Sequence, residues 1–116
     1  MTIRRLKTYT GSQGYVYQYY FVGKRPVPTA DANEYIFDVT SDRKLTYAVS
    51  IVLPHPVVTA WGESHGRFLS DSEQYAAVKM RLFRAFDEVQ DMRAHGRQLQ
   101  IDAPSLEESL ASLGVV

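Results

Sequence analysis

The residues best able to do chemistry fall in one stretch, Trp61-Gly62-Glu63-Ser64-His65-Gly66-Arg67. Glu63 and His65 are two positions apart, so on an extended segment they project to the same side. A carboxylate beside an imidazole can fix its tautomer, raise its basicity or share a metal with it. His55 lies across a turn expected at Pro54-His55-Pro56, and His55, Glu63 and His65 together make a candidate metal-ligand set. Zn²⁺ accepts His and carboxylate ligands, and three of them leave a position open for water. Glu-x-His is unspecific, however. The preferred reading is an exposed loop turned by glycines, with no metal and no cofactor. Trp61, Glu63, His65 and Arg67 then remain as candidate lining of a metal-free polar pocket. Trp61 reads more readily as a cap on the core. Ser64 beside His65 is no catalytic pair, because neither an orienting acid nor an oxyanion hole can be identified.

The second constellation is aromatic. In Tyr15-Val16-Tyr17-Gln18-Tyr19-Tyr20-Phe21-Val22, Tyr15, Tyr17, Tyr19 and Phe21 share one strand face. Their rings can pack across strands, form a protein interface, or stack on bases beside phosphate-binding Arg4, Arg5, Lys7, Lys24 and Arg25. Tyr17, Tyr19 and Arg25 are therefore candidate binding residues. A long aromatic strand at a sheet edge would invite pairing with another chain, which points to a homodimer.

Other chemistry is poorly represented. There is no Gly-x-x-x-x-Gly-Lys-Ser/Thr, Gly-x-Gly-x-x-Gly, His-Glu-x-x-His or Gly-x-Ser-x-Gly pattern. There is no cysteine, so disulfides, thiolate nucleophiles and Cys-ligated zinc are excluded. The formal net charge is zero, which disfavours a whole-surface polyanion binder. The charge is segregated, though: residues 1–25 hold five basic and no acidic residues, and residues 98–116 hold Asp102, Glu107 and Glu108 with no basic residue. The two ends could complement each other within a dimer. No apolar run approaches the ~20 residues of a membrane-spanning helix, and no apolar segment follows the basic start as in a secretory signal. A cytoplasmic protein is expected.

These residues need elements to position them. Strands are expected at 3–9, 15–22, 34–40, 45–53 and 57–61. A proline-containing loop is expected at 23–33, and a turn at Ser41-Asp42-Arg43-Lys44. Leu45, Tyr47, Val49, Ile51 and Leu53 alternate with small or polar residues, the pattern of a sheet covered on one face. A long helix is expected over 71–95. Ser70 and Glu73 form its capping box, Tyr75, Val78, Leu82, Ala85, Phe86 and Val89 form its apolar stripe, and Gly96 ends it. Met80 and Phe83 lie on its flank and mark a second contact surface if they are exposed. A short strand over 97–101 could add a sixth, and a second helix is expected to start at Pro104-Ser105 with Ser105 and Glu108 as its capping box.

The expectation is one α+β domain spanning residues 1–116. An antiparallel sheet of about five strands packs on one long helix, with a short C-terminal helix. The favoured function is a small, non-catalytic, homodimeric protein-interaction module. The alternatives are a small enzyme or ligand-binding protein with its pocket at Trp61, Glu63, His65 and Arg67, and a single-strand nucleic-acid binder using the tyrosine strand.

Overall fold

The computed structural model describes residues 6–116. The first residues of the strand expected at 3–9, with Arg4 and Arg5, lie outside the described residues. Four strands form an antiparallel meander: β1 (Lys7–Thr10), β2 (Val16–Val27), β3 (Ala32–Thr40) and β4 (Tyr47–Pro54). Three helices follow, α1 (His55–His65), α2 (Asp71–Glu88) and α3 (Met92–His95). The chain then returns as β5 (Gln98–Gln100), parallel to β4, and ends in α4 (Ala103–Ser112). The sheet order is β1-β2-β3-β4-β5. The fold is α+β, with an antiparallel sheet completed by one parallel strand. A hairpin cannot join parallel neighbours, so the helices serve as the crossover between β4 and β5.

Alternation along the strands sets the core. Tyr17, Tyr19, Tyr35, Phe37, Val39, Val49, Ile51 and Leu53 are buried on one face. The α2 stripe of Ala77, Val78, Leu82, Ala85 and Phe86 packs there, and Trp61, Leu106 and Leu110 belong to the same cluster. Phe86 stacks on Tyr17 with ring centroids 4.2 Å apart. Burying a side chain of this size contributes about 1.5–3 kcal/mol.

Several expectations are corrected. Pro26 and Pro28 suggested a loop over 23–33, yet β2 runs on to Val27. Beyond Tyr19, β2 has no second strand neighbour among the described residues, and an unpaired edge tolerates proline. Residues 57–61 are helical, not a fifth strand. Pro54 is the N-cap of α1 and Pro56 lies in its first turn, where no intrahelical bond needs the missing N–H. Gly66, at φ 72°, ends α1 with its N–H on the Gly62 carbonyl. A Cβ on Gly62 would lie 2.9 Å from the Arg67 carbonyl oxygen, so the chain can double back only over glycine.

The long helix starts as expected, with the Ser70–Glu73 capping box formed in both directions. It stops at Glu88 instead of 95, because Asp91 caps a new turn by accepting from the Ala94 N–H, and Met92 turns into the core. The last helix is capped by Asp102, which accepts from the Ser105 N–H, and Ser105 is buried inside it. Phe83 is half-buried against Tyr9 of β1, with stacked centroids 4.4 Å apart, and Met80 is half-buried. The Phe83 side of the α2 flank is thus covered in part by the first strand.

Candidate binding surface

The helices share one core with the inward strand residues, and the opposite face of the sheet is open. Its residues are Val16, Gln18, Tyr20 and Val22 on β2, Glu34, Ile36 and Asp38 on β3, Ala48, Ser50 and Val52 on β4, and Gln98 and Gln100 on β5. None of them is buried. The register sets them in rows across the strands. Arg25 faces Glu34, then Val52, then Gln100; Gly23 faces Ile36, then Ser50, then Gln98; Tyr20 faces Asp38, then Ala48. Apolar Ile36, Val52 and Ala48 are therefore ringed by polar and charged groups.

Arg25 reaches this face through a bulge. The pairing steps from Phe21–Phe37 to Gly23–Ile36, leaving Val22 as an extra residue. A bulge reverses the facing of everything after it. Gly23 then leaves open space beside Ile36. A shallow hollow of about 230 Å³ results, lined by Arg25, Glu34, Ile36, Ala48, Ser50, Arg97 and Gln98. Glu34 occupies one end. The Arg25 Nε–H donates to it at 2.6 Å, and the Ser50 hydroxyl donates to its other oxygen. The Ser50 hydroxyl, then the Arg25 guanidinium, hold the Glu34 carboxyl below its ordinary value. Arg97 donates to the Ala48 carbonyl at 3.2 Å. Tyr20 donates to Asp38 at 2.6 Å. The face thus carries both signs of charge around an apolar centre.

The sheet edges are less inviting than this face. The open stretch of β2 carries the bulge, Lys24, Arg25 and Pro26, each a device that blunts edge pairing. β1 and β5 have only four and three residues.

The other candidate residues are elsewhere. Tyr17 and Tyr19 lie under α2, 3% and 4% exposed, so neither ring presents a face to a ligand. Tyr15, in the turn just before β2, is exposed instead of joining them. Glu63 and His65 sit on α1, where residues two apart do not face each other. His55 and His65 mark opposite ends of this helix, about 15 Å apart at 1.5 Å per residue. His55 lies 2.8 Å from Asp31, and His65 lies 3.0 Å from Glu107. Among the described residues, no group of three or more His, Asp or Glu could hold a metal ion. Glu63 is exposed, with no hydrogen bond or ion pair among the described residues.

Trp61, His65 and Arg67 do converge. His65 stacks on the indole with centroids 4.1 Å apart, and the Arg67 guanidinium lies 5.1 Å from it. Arg67 also makes a bidentate pair with Glu73 at 2.8 and 2.9 Å and donates to the Val116 carbonyl at 3.0 Å. The Arg67 bonds, then the Ser70 N–H, pull the Glu73 carboxyl down to about 2. This cluster joins the end of α1, the cap of α2, α4 and the chain's last residue. Phe68, 92% exposed, and Val116, 83% exposed, lie beside it.

The sequence reading missed Glu34, Ser50 and Arg97, which come together only through strand register. Asp87, off the apolar stripe of α2, carried no sequence signal either. Asp87 accepts from the Tyr9 hydroxyl at 2.9 Å and the Ser12 N–H at 2.8 Å, clamping the first hairpin to α2. Polar alternation on β3 and β4 was the available signal for the open face. Among the described residues, no helix is long and apolar enough to cross a membrane. The chain matches no protein-family model, no curated protein and no solved structure.

Proposed function

We propose that this protein is a non-catalytic interaction module that self-associates through the open face of its sheet. One observation carries the reading: the helices cover one face, while the other sets Ile36, Ala48 and Val52 among charges of both signs. A two-fold axis places the same patch on both copies. Each copy brings the cations Arg25 and Arg97 and the carboxylates Asp38 and Glu34, so the contact can pair opposite charges across it. Blunted edges favour face-to-face packing over strand addition. Five strands at about 4.8 Å spacing, averaging about seven residues of about 3.3 Å, give a footprint on the order of 550 Å² per copy, near the lower limit of specific interfaces. The dimer is therefore reversible and concentration-dependent.

Sedimentation equilibrium across micromolar concentrations tests this. The native chain should show a monomer–dimer equilibrium. Ile36→Lys should shift it to monomer while far-UV circular dichroism stays native. Ile36→Thr keeps the β-branched shape and should weaken association less. Monomeric native protein throughout the range, or dimer unaffected by either change, would refute the reading.

A further inference from the structure

The extra residue at the bulge also alters the inner face. Tyr17, Tyr19 and Phe21 point inward, and unbroken alternation would bring Gly23 inward next. With Val22 inserted, Lys24 instead pairs opposite inward-facing Tyr35. An ammonium is too costly to bury in a core without a partner, and Lys24 lies at the core's margin with a 37% exposed side chain. Its Nζ stands 5.8 Å from the centre of the Tyr35 ring and 4.0 Å from Asp71.

Three rings surround this spot. The Phe21 and Tyr75 centroids are 5.0 Å apart, Phe21 and Tyr35 6.4 Å, and Tyr35 and Tyr75 6.5 Å. With Lys24, Asp71 and Ser72 they line a cavity of about 280 Å³. Its walls are mainly apolar, and its polar groups are mainly donors. Lys24 brings an ammonium. Asp71 and Ser72 open α2, where backbone N–H groups have no intrahelical acceptor and the helix dipole favours negative charge. Tyr35 is 2% exposed, and its hydroxyl has no hydrogen-bond partner among the described residues. Burial, then the Asp71 charge, raise the Tyr35 phenol above its ordinary value, so it remains a donor at neutral pH. Asp71 is the one carboxylate in the lining. Its side chain is 90% exposed and its contact with Lys24 is long, an arrangement that contributes little and yields readily to a competing anion.

We propose that this cavity binds a small aromatic carboxylate, with its ring among Phe21, Tyr35 and Tyr75 and its carboxylate at Lys24 and the start of α2. The volume limits the ligand to about one ring, since drug-sized pockets start near 300 Å³. An aromatic amine is disfavoured, because Lys24 already holds the cation position over Tyr35. The site lies on the face opposite the proposed dimer contact and does not depend on it.

The test is titration of the full chain with phenylacetate, and separately with phenethylamine, followed by NMR of the aromatic resonances. Phenylacetate at millimolar concentration should shift the Phe21, Tyr35 and Tyr75 signals, and phenethylamine should not. Lys24→Gln should weaken binding about tenfold, the equivalent of one charge-assisted hydrogen bond. Tyr35→Phe, which keeps the ring and removes only the unpartnered hydroxyl, should weaken it severalfold. Unshifted rings, equal binding of the amine, or unchanged affinity in both variants would overturn the proposal.

Discussion

The two faces of this sheet are built from the same strands and do opposite work. On the inner face, β3 and β4 place Phe37, Val39, Val49 and Ile51 at 0% exposure beneath α2. One residue along each strand, Ile36, Asp38, Ala48 and Ser50 remain open. Side chains on the inner face are held by packing on all sides, whereas those on the outer face have neighbours only within the sheet. A methyl group removed from the inner face leaves a cavity. The same group removed from the outer face leaves a slightly different surface. Stability is therefore concentrated on the inner face, and the proposed self-association uses the outer one.

The largest effect should come from breaking the inner face. Phe86 stacks on Tyr17 and lies near Tyr9, Tyr19 and Phe83. Phe86→Ala should cost about 3–5 kcal/mol in urea denaturation. Deleting Val22 should come next, because without the bulge Lys24 and Arg25 exchange faces or the ladder slips. Reduced thermal stability together with loss of both the hollow and the aromatic cavity is the expected result. Ser70→Ala removes the side-chain acceptor for the Glu73 N–H and should cost about 1 kcal/mol. Ile36→Lys should change monomer stability least, within about 0.5 kcal/mol, while having the largest effect on association.

The pH dependence separates the inner face from the α1–α2 joint. Burial pushes the Tyr47 phenol up to about 12. A group raised in the folded state stabilises it below the unfolded value of 10, and that stability is lost as pH rises through 12. Tyrosine ionisation followed at 295 nm should accordingly be delayed and should coincide with unfolding. Glu73 is shifted down to about 2 from 4.5. Its contribution is present above pH 4.5 and is lost as pH falls toward 2. Arg67→Gln should flatten this acid limb and leave the alkaline limb unchanged.

What could be read in the sequence follows from how local each signal is. The strand alternation of 45–53 and the stripe and cap of α2 are written within a few residues, and both appear in the structure, the alternation from Tyr47 on, with Leu45 left exposed ahead of β4. The segment 54–61 misled because two prolines suit a turn and a helix start equally well. The spacing of Val57, Val58 and Trp61 was the overlooked helical sign. The Glu63–His65 idea failed with it, since it required an extended backbone. The hollow at Arg25, Glu34, Ser50 and Arg97 was not legible. It depends on strand register and on one bulge, and Arg97 arrives from the residue just before the parallel strand β5, far along the chain.

The most direct measurement of the central claim is an isotope-filtered NOE experiment on a mixture of ¹³C-labelled and unlabelled protein at high concentration. Intermolecular contacts from the methyl groups of Ile36, Val52 and Ala48 are the expected result. Contacts confined to Phe68 and Val116 would move the interface to the far side of the molecule, and no intermolecular contacts would show that the open face has no second copy upon it.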